Sequence, residues 1–575
     1  MAKDYPARGP EAAGRLRAGL FAAAAALLAF AVYLPTLAGG FVNWDDPTYI
    51  YKNEMIRSMD GEFFRWAFTS VVSGNWHPLT MISHAVDYAL WGLAPWGHHL
   101  TSILLHAVNT ALVFFLTLRV VNMARRTEGA RGRAARGLAA AFITSVLFAV
   151  HPLHVESVAW LSERKDLLSA LFYILALLAY LGYATGRGRV SYCLSLVFLT
   201  LSLMSKPMAV SLPLVLLILD WYPLGRLRFD GGRGRTLRVA AEKLPFFALA
   251  GVFSLLTLWA QGQAAAVSSL ESAPLASRLL VASRGYIFYL VKMFVPAGLA
   301  PYYPYPGEIR FLSMELLGPV VIFAALTALA AASIRKRRWF AAAWLTYLVT
   351  LAPVAGIVKI GAMAAADRYF YIPGVAPLVL IGAGAGALAH ARKKGIMAAV
   401  VVAAAVLSVL TVRQIGVWKD SITLWTHEIS IYPDSVPLAY ANRGIAYGGE
   451  GRIALALADF SRAAEIKPDF AKAYYNRANA YDILGRKEEA IEDLSAAIRV
   501  KPRYLKAYYR RGVLYAGLGR YPEAARDLEA AVELAPGFRP ALLALGRVYA
   551  AMGDRAASEL YYERARGLAS PGPGD

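Results

Sequence analysis

Between residues 15 and 413 the chain carries eleven long apolar runs separated by short polar loops. They lie at 15–38, 98–119, 138–158, 167–184, 190–205, 207–223, 244–262, 315–333, 339–357, 371–389 and 396–413. Most approach the roughly 20 residues that a helix needs to cross a bilayer. A soluble domain cannot hide so much apolar surface: 58% of the 575 residues are apolar and 17% are charged, with mean hydropathy +0.44. Most of that surface must face lipid. The first run has Arg15 and Arg17 on its flank and resembles a signal-peptide core. Because further runs follow it, it reads as a retained anchor.

The net charge of +21 invites a nucleic-acid reading, but its distribution argues against one. Residues 433–575 carry only +3, whereas residues 1–432 carry +18. The surplus falls in short loops between apolar runs, as the positive-inside rule expects, and nucleic acid is excluded as a partner. The basic clusters are Arg15/Arg17, Arg125–Arg136, Arg187/Arg189, Arg226–Lys243, Arg335–Arg338 and Arg392–Lys394. All of them reach the cytoplasm only with eleven crossings. The stretch 278–296, which contains Arg284 and Lys292, then lies along the outer surface or re-enters from it. The expected protein is integral to the inner (plasma) membrane, with its amino terminus cytoplasmic and its carboxyl terminus extracytoplasmic, or periplasmic. The one cysteine, Cys193, excludes an intrachain disulfide and a Cys-based metal cluster.

Residues 433–575 follow a different grammar. Pro468, Pro502 and Pro536 recur every 34 residues, as do the segments beginning at Ala439, Ala473, Ala507 and Ala541. Gly485/Arg486 and Gly519/Arg520 recur before a second helix, followed by Ala490 and Ala524. This is the tetratricopeptide pattern, in about four copies. The fold class is therefore all-α: a membrane helical bundle over 1–432, then a helical solenoid over 433–575. Such arrays form a groove that binds peptide. Tyr474, Tyr475, Tyr508 and Tyr509 either line that groove or pack helix on helix.

Chemistry concentrates in the loops expected outside. The long first loop, about 39–97, holds FVNWDDPTYI, NWHPLT with His77, and SHAVDYALWGLAPWGHH. Asp45 and Asp46 are adjacent, and repulsion between neighbouring carboxylates raises the pKa of one, which suits a general base. The alternative is a turn and helix cap ahead of Pro47. HPLHVESVAWLSERKDLLS (151–169) brings His151, His154 and Glu156 together. A metal is conceivable there, but the Pro152 break leaves the shared face open and no third strong ligand is evident, so a hydrogen-bonded cluster is the better reading. Glu163, Arg164, Lys165 and Asp166 stand at the start of the fourth run. Ser205–Lys206–Pro207 joins the fifth to the sixth, and APYYPYPGE (300–308) is an aromatic-proline loop. Lys359 and ADRYFYIP (366–373), with Asp367 and Arg368, precede the tenth. Arg164, Lys165, Lys206, Lys359 and Arg368 on one face would clamp a phosphate. A carboxylate, such a clamp and a membrane groove fit sugar transfer from a lipid phosphate.

Taken together, Trp44–Asp45–Asp46, HPLTMISHAVDYALWG (77–92), HPLHVESVAWLSERKDLLS, YYPYP (302–306), ADRYFYIP and the terminal repeats resemble the transmembrane and tetratricopeptide-repeat O-mannosyltransferase family, of the GT-C class. The resemblance covers nearly the whole chain. It implies a polyprenyl- or dolichyl-phosphate sugar donor, transfer to Ser or Thr of a protein, repeats on the outer side, and Asp45 or Asp46 as base. His77, His151, His154, Glu156, Glu163, Asp166 and Asp367 would support them. The Ala- and Arg-rich composition suggests a bacterial member, with a polyprenyl-phosphate donor and a sugar that need not be mannose. No firm cofactor is implied, and a divalent metal is conceivable but not expected. Two other readings remain: the same chemistry on a glycolipid or envelope polysaccharide, or a non-enzymatic scaffold that docks envelope proteins through its repeats.

Overall fold

The computed structural model describes residues 10–125, 130–227, 233–263, 274–306, 314–357, 363–388 and 393–568. The chain forms two units, Met1–Asp420 and Ser421–Asp575. The period of 34 alone places the second unit at 433. The unit begins earlier because the helix Ser421–Ile431 buries Leu424 and Trp425, and Ile429 packs on Tyr440 and Ala441 of the first repeat.

The helices of the first unit are α1 (Pro10–Tyr33), α2 (Gly61–Thr69), α3 (Pro78–Trp91), α4 (Pro95–Ala124), α5 (Ala130–Ala149), α6 (Val155–Ala159), α7 (Arg164–Ala184) and α8 (Arg189–Ser205). They continue as α9 (Leu212–Trp221), α10 (Arg233–Ala241), α11 (Leu244–Gln263), α12 (Leu275–Phe294), α13 (Met314–Ser333), α14 (Arg338–Leu351), α15 (Val375–Leu388) and α16 (Lys393–Val417). Local chemistry sets the ends. Asp60 caps α2 by accepting from Phe63 N at 2.9 Å. Pro78 and Pro95 sit in first turns, where a missing N–H costs nothing. Gly92, at φ +59°, ends α3 so that the chain turns directly into α4.

Helix α4 packs on α1, α5 and α7, and α5 lies along α15. Two glycines one turn apart make the second contact possible. A Cβ on Gly382 would meet Thr144 Oγ1 at 2.1 Å and Ala140 O at 2.6 Å, and one on Gly386 would meet Ala140 N at 3.0 Å. Small residues at i and i+4 let helix backbones approach where lipid supplies no hydrophobic drive between them. Strand β1 (Tyr303–Pro304) pairs antiparallel with β2 (Met363–Ala365) and so ties the aromatic-proline loop to the segment leading into Asp367.

Among the described residues, six helices are long and apolar enough to cross a membrane: Gly14–Ala38, Pro95–Ala124, Leu161–Ala184, Thr236–Gly262, Leu316–Ser333 and Lys394–Val417. The expected count of about eleven crossings is not confirmed by these six. The run 138–158 is broken, since α5 ends at Ala149 and Pro152–Ala159 leaves it at 58°. Pro152 has no N–H to continue the helix, and His151 instead accepts from Leu153 N at 3.2 Å to start a new turn. Counted as one bent span, this pair makes a seventh. The runs 190–205, 207–223 and 371–389 become the shorter apolar helices Arg189–Ser205, Pro207–Trp221 and Val375–Leu388. The run 339–357 is α-helical only through Leu351, just ahead of Pro353. Helix α12 carries Arg278, Arg284 and Lys292 and is not among the six.

In the second unit, α17 (Ser421–Ile431) precedes four helix pairs. They are α18 (Pro437–Gly449) with α19 (Ile453–Ile466), α20 (Ala471–Ile483) with α21 (Lys487–Val500), α22 (Leu505–Gly517) with α23 (Tyr521–Leu534), and α24 (Arg539–Ala551) with α25 (Arg555–Gly567). Gly451, Gly485, Gly519 and Gly553 turn each pair at φ between +74° and +84°, a region that favours glycine. Inside the first three pairs a fork of two hydrogen bonds joins the helices: Arg443 to Asp459 (2.8 and 2.7 Å), Arg477 to Asp493 (both 2.7 Å) and Arg511 to Asp527 (both 2.7 Å). The fourth pair has Leu545 and Tyr561 at the equivalent positions.

Candidate functional site

The break after α5 builds the site. Because the chain cannot continue as one helix, Val155–Ala159, the 3-10 turn Leu161–Glu163 and the first turn of α7 fold into a corner. This corner gathers Glu156, Glu163, Lys165 and Asp166. Lys206 arrives from the Pro207 break after α8, and Arg368 arrives just after β2. Glu163 is the hub: its carboxylate lies 3.0 Å from Lys165 Nζ, 3.2 Å from Lys206 Nζ and 3.2 Å from Arg368 Nε. Lys206 also bonds Asp166 Oδ1 at 2.5 Å, and Ser157 Oγ donates to Asp166 Oδ2 at 3.2 Å. Arg368 pairs with Glu156 through its guanidinium, and its backbone N donates to Glu156 Oε2 at 2.8 Å. Three expected clamp cations thus converge, each already set against a carboxylate.

Above them lies an aromatic wall. Trp44 stacks on Trp160 with centroids 4.4 Å apart, and Trp160 stacks on Trp418 at 5.5 Å. The Arg368 guanidinium lies 5.9 Å over Trp44, 5.4 Å over Trp160 and 5.0 Å over Tyr369. Lys165 lies 4.9 Å over Tyr49. Such contacts hold cations without neutralising them.

The two adjacent aspartates separate by environment. Asp46 is buried and accepts from Val42 N at 2.9 Å, Ser162 N at 3.1 Å and Ser162 Oγ at 2.5 Å. Burial pushes its carboxyl up to about 6, against the opposing pull of those bonds. It ties the first loop to the α6–α7 corner. Asp45 is half-buried, and its carboxylate bonds no other described residue. Burial raises its pKa, while Lys165 and Arg368 pull it down.

Other expected members are held in packing and hydrogen-bond contacts outside this cluster. Arg164 does not join the clamp. It is wholly buried, with Nε on Ser102 Oγ (3.0 Å), one terminal nitrogen on Ser83 Oγ (3.1 Å) and the other on His98 O (2.6 Å), beside Asp87 at 2.7 Å. At about 100° per residue, Arg164 points from α7 toward Ser83, Ser102 and His98, whereas Lys165 and Asp166 point into the corner. His151 bonds Met293 O at 2.9 Å and His154 bonds Phe148 O at 2.8 Å, so both pin the bend. His77 stacks on Tyr49 at 5.1 Å, and burial pushes it down to about 3. Asp367 accepts from Tyr303 Oη at 2.8 Å, and its carboxyl is raised by burial and then by Glu156. Lys359 lies outside the described residues. Tyr474 and Tyr508 lie under Arg477 and Arg511, while Tyr475 and Tyr509 pack on Tyr504 and Phe538 of the next repeat. All four make packing contacts within the array, and each keeps part of its surface exposed.

Sequence reasoning missed Ser162, Trp160, Trp418 and a second network beneath the corner. There, His106 Nδ1 meets Tyr371 Oη at 2.8 Å, and Asn109 donates to Leu167 O at 2.9 Å. Polar residues inside the second apolar run were the available signal. Below this network an apolar cavity of about 550 Å³ is lined by Leu116, Ile174, Val215, Phe148 and Tyr371 among others. The last two touch His154, with ring centroids 4.4 and 4.9 Å away.

Tetratricopeptide repeat family models match residues 438–470, 471–504, 505–538 and 540–569. The Drosophila melanogaster protein O-mannosyl-transferase Tmtc1 is 34% identical over 214 residues, which is 35% of this chain and 23% of that protein. The Caenorhabditis elegans protein O-mannosyl-transferase F38B6.6 is 24% identical over 456 residues, covering 76% of this chain and 61% of that one. Its curated homologues are protein O-mannosyl-transferases. The chain spans less than two thirds of the length of either. Among solved structures, MamA is 24% identical, with a TM-score of 0.25 over 26% of this chain and 80% of its own. The apolar helices and this kinship make the chain a membrane protein with a carboxyl-terminal repeat array.

Proposed function

We propose that the chain is an integral-membrane glycosyltransferase that moves mannose or another hexose from a polyprenyl-phosphate carrier to Ser or Thr hydroxyls of extracytoplasmic proteins. The observation that carries this reading is the Asp45 carboxylate, half-buried and bonded to no described side chain, in the field of Lys165 and Arg368 and beside the Trp44 wall. In the reaction Asp45 takes the proton of the acceptor hydroxyl. The freed oxygen bonds to the anomeric carbon, and the bond from that carbon to the phosphate oxygen breaks. The electron pair leaves with the carrier phosphate. Lys165, Lys206 and Arg368 stabilise that developing charge by exchanging part of their contact with Glu163 and Glu156 for the phosphate. The cavity of about 550 Å³ supplies an apolar wall for part of the carrier chain. The repeats present the acceptor segment, with the amino terminus cytoplasmic and the repeats on the outer face.

The test is transfer in proteoliposomes from a polyprenyl-phosphate hexose to a Ser/Thr peptide. Wild type should yield the glycosylated peptide and Asp45→Asn should not. Sugar appearing only on lipid would support the glycolipid reading, and no turnover with any acceptor would support the scaffold.

A further inference from the structure

Beside the site, yet outside it, His84, Asp87 and His98 converge from two helices. His84 and Asp87 are one turn apart on α3, and His98 is in the first turn of α4. One donor atom from each lies within 4.8 Å of the other two, and all three residues are buried. Neither ring nitrogen of His84 has a hydrogen-bond partner, although the side chain is completely enclosed. His98 Nε2 lies 3.0 Å from Gly92 O, which can only accept, so this nitrogen carries the proton. That leaves His98 Nδ1 facing Asp87 Oδ2 at 3.5 Å without a hydrogen bond. Thr101 Oγ1 holds the other carboxylate oxygen at 2.7 Å. Imidazole that donates its far N–H to a carbonyl, and carboxylate steadied by a hydroxyl, are the outer contacts that orient metal ligands.

We propose that His84, Asp87 and His98 bind a zinc ion that fastens the first-loop helix α3 to α4. Two imidazoles and one carboxylate form a donor set suited to zinc, with water completing the tetrahedron. Closing three donors around an ion at about 2.0–2.1 Å brings them roughly 3.4 Å apart, from the present separations of up to 4.8 Å. Arg164 approaches Asp87 Oδ2 from the α7 side at 2.7 Å, as an ion pair without an aligned hydrogen bond. Three of its five N–H groups bond Ser83, Ser102 and the His98 carbonyl. Asp87 Oδ2 therefore lies between the Arg164 guanidinium at 2.7 Å and His98 Nδ1 at 3.5 Å. The role is structural: the ion joins α3 to α4 at Asp87, the carboxylate that also pairs with Arg164 in the first turn of α7.

The test uses the full chain in detergent, stripped with a chelator, reloaded with zinc and dialysed. Elemental analysis should find about one zinc per chain. His84→Ala and His98→Ala should each lose most of it, while His427→Ala, in the repeat unit, should keep it. Cobalt in place of zinc should give the intense visible absorption of a tetrahedral site in the wild type, a readout that stands even if a variant fails to fold. Zinc absent from the reloaded wild type, zinc retained in both site variants, or a weak octahedral cobalt spectrum would each overturn the proposal.

Discussion

At the scale of single residues, the pair Asp45–Asp46 shows how one dipeptide divides two tasks. Asp46 spends its carboxylate on Val42 and Ser162, so Asp46→Asn turns one acceptor into a donor that faces buried N–H groups. The expected cost is about 1–3 kcal/mol, read as a lower unfolding midpoint in detergent, with lost turnover following from the loosened loop. Asp45 makes no such bonds, so Asp45→Asn should leave the midpoint unchanged and abolish transfer. Equal loss of stability in both variants would cancel this division. The pH dependence has a definite sign. Burial raises the Asp45 pKa, and a base works only when deprotonated. Transfer should therefore fall as pH drops, with a midpoint above the ordinary carboxylate value of about 4. A rate that stays flat down to pH 4 would remove Asp45 as the base.

At the scale of elements, close approach between helices decides where the site can form. Gly382 and Gly386 bring α15 against α5, and the segment just ahead of α15 delivers Arg368. Adding a side chain at Gly382 forces Thr144 and the Ala140 carbonyl apart. Gly382→Leu should cost more than 1–3 kcal/mol, about the usual penalty for overpacking, because backbone is in the way. It should lower the unfolding midpoint and weaken donor use together, whereas Gly251→Leu on α11, with open space at its Cβ and away from the cavity, should do neither. Matching effects in the two variants would show that the α5–α15 contact does not position the site. The repeats were legible in the sequence because a period of 34 is a signal that packing cannot disguise. The corner at 151–166 was legible as chemistry and illegible as geometry. The sequence marked the break at Pro152 but not the 58° bend it makes within one expected run, nor that Arg164 and Lys165 would point to different clusters. Asp87 is an unremarkable letter on an amphipathic helix until α4 and α7 close around it.

At the scale of the whole molecule, the remaining question is the parity of crossings, because it decides on which face of the membrane each unit works. The described chain offers six long apolar helices, one bent pair and the shorter helices Arg189–Ser205, Pro207–Trp221 and Val375–Leu388, besides α14. If each of these crosses, the total is odd and the two termini lie on opposite faces. Six long helices alone would put them on the same face. The charge pattern favours the odd count, since the basic loops alternate with the loops that hold Asp45, Lys165, Lys206 and Arg368. A reporter fused after residue 575 should therefore read as extracytoplasmic, and one fused after Arg189 as cytoplasmic. A cytoplasmic signal at residue 575 would mean that an odd number of the bent or short segments turns back within the bilayer. The repeats would then face away from the proposed acceptor, and the reading of the array as an acceptor-presenting groove would fail, while the assignment of Asp45 would stand.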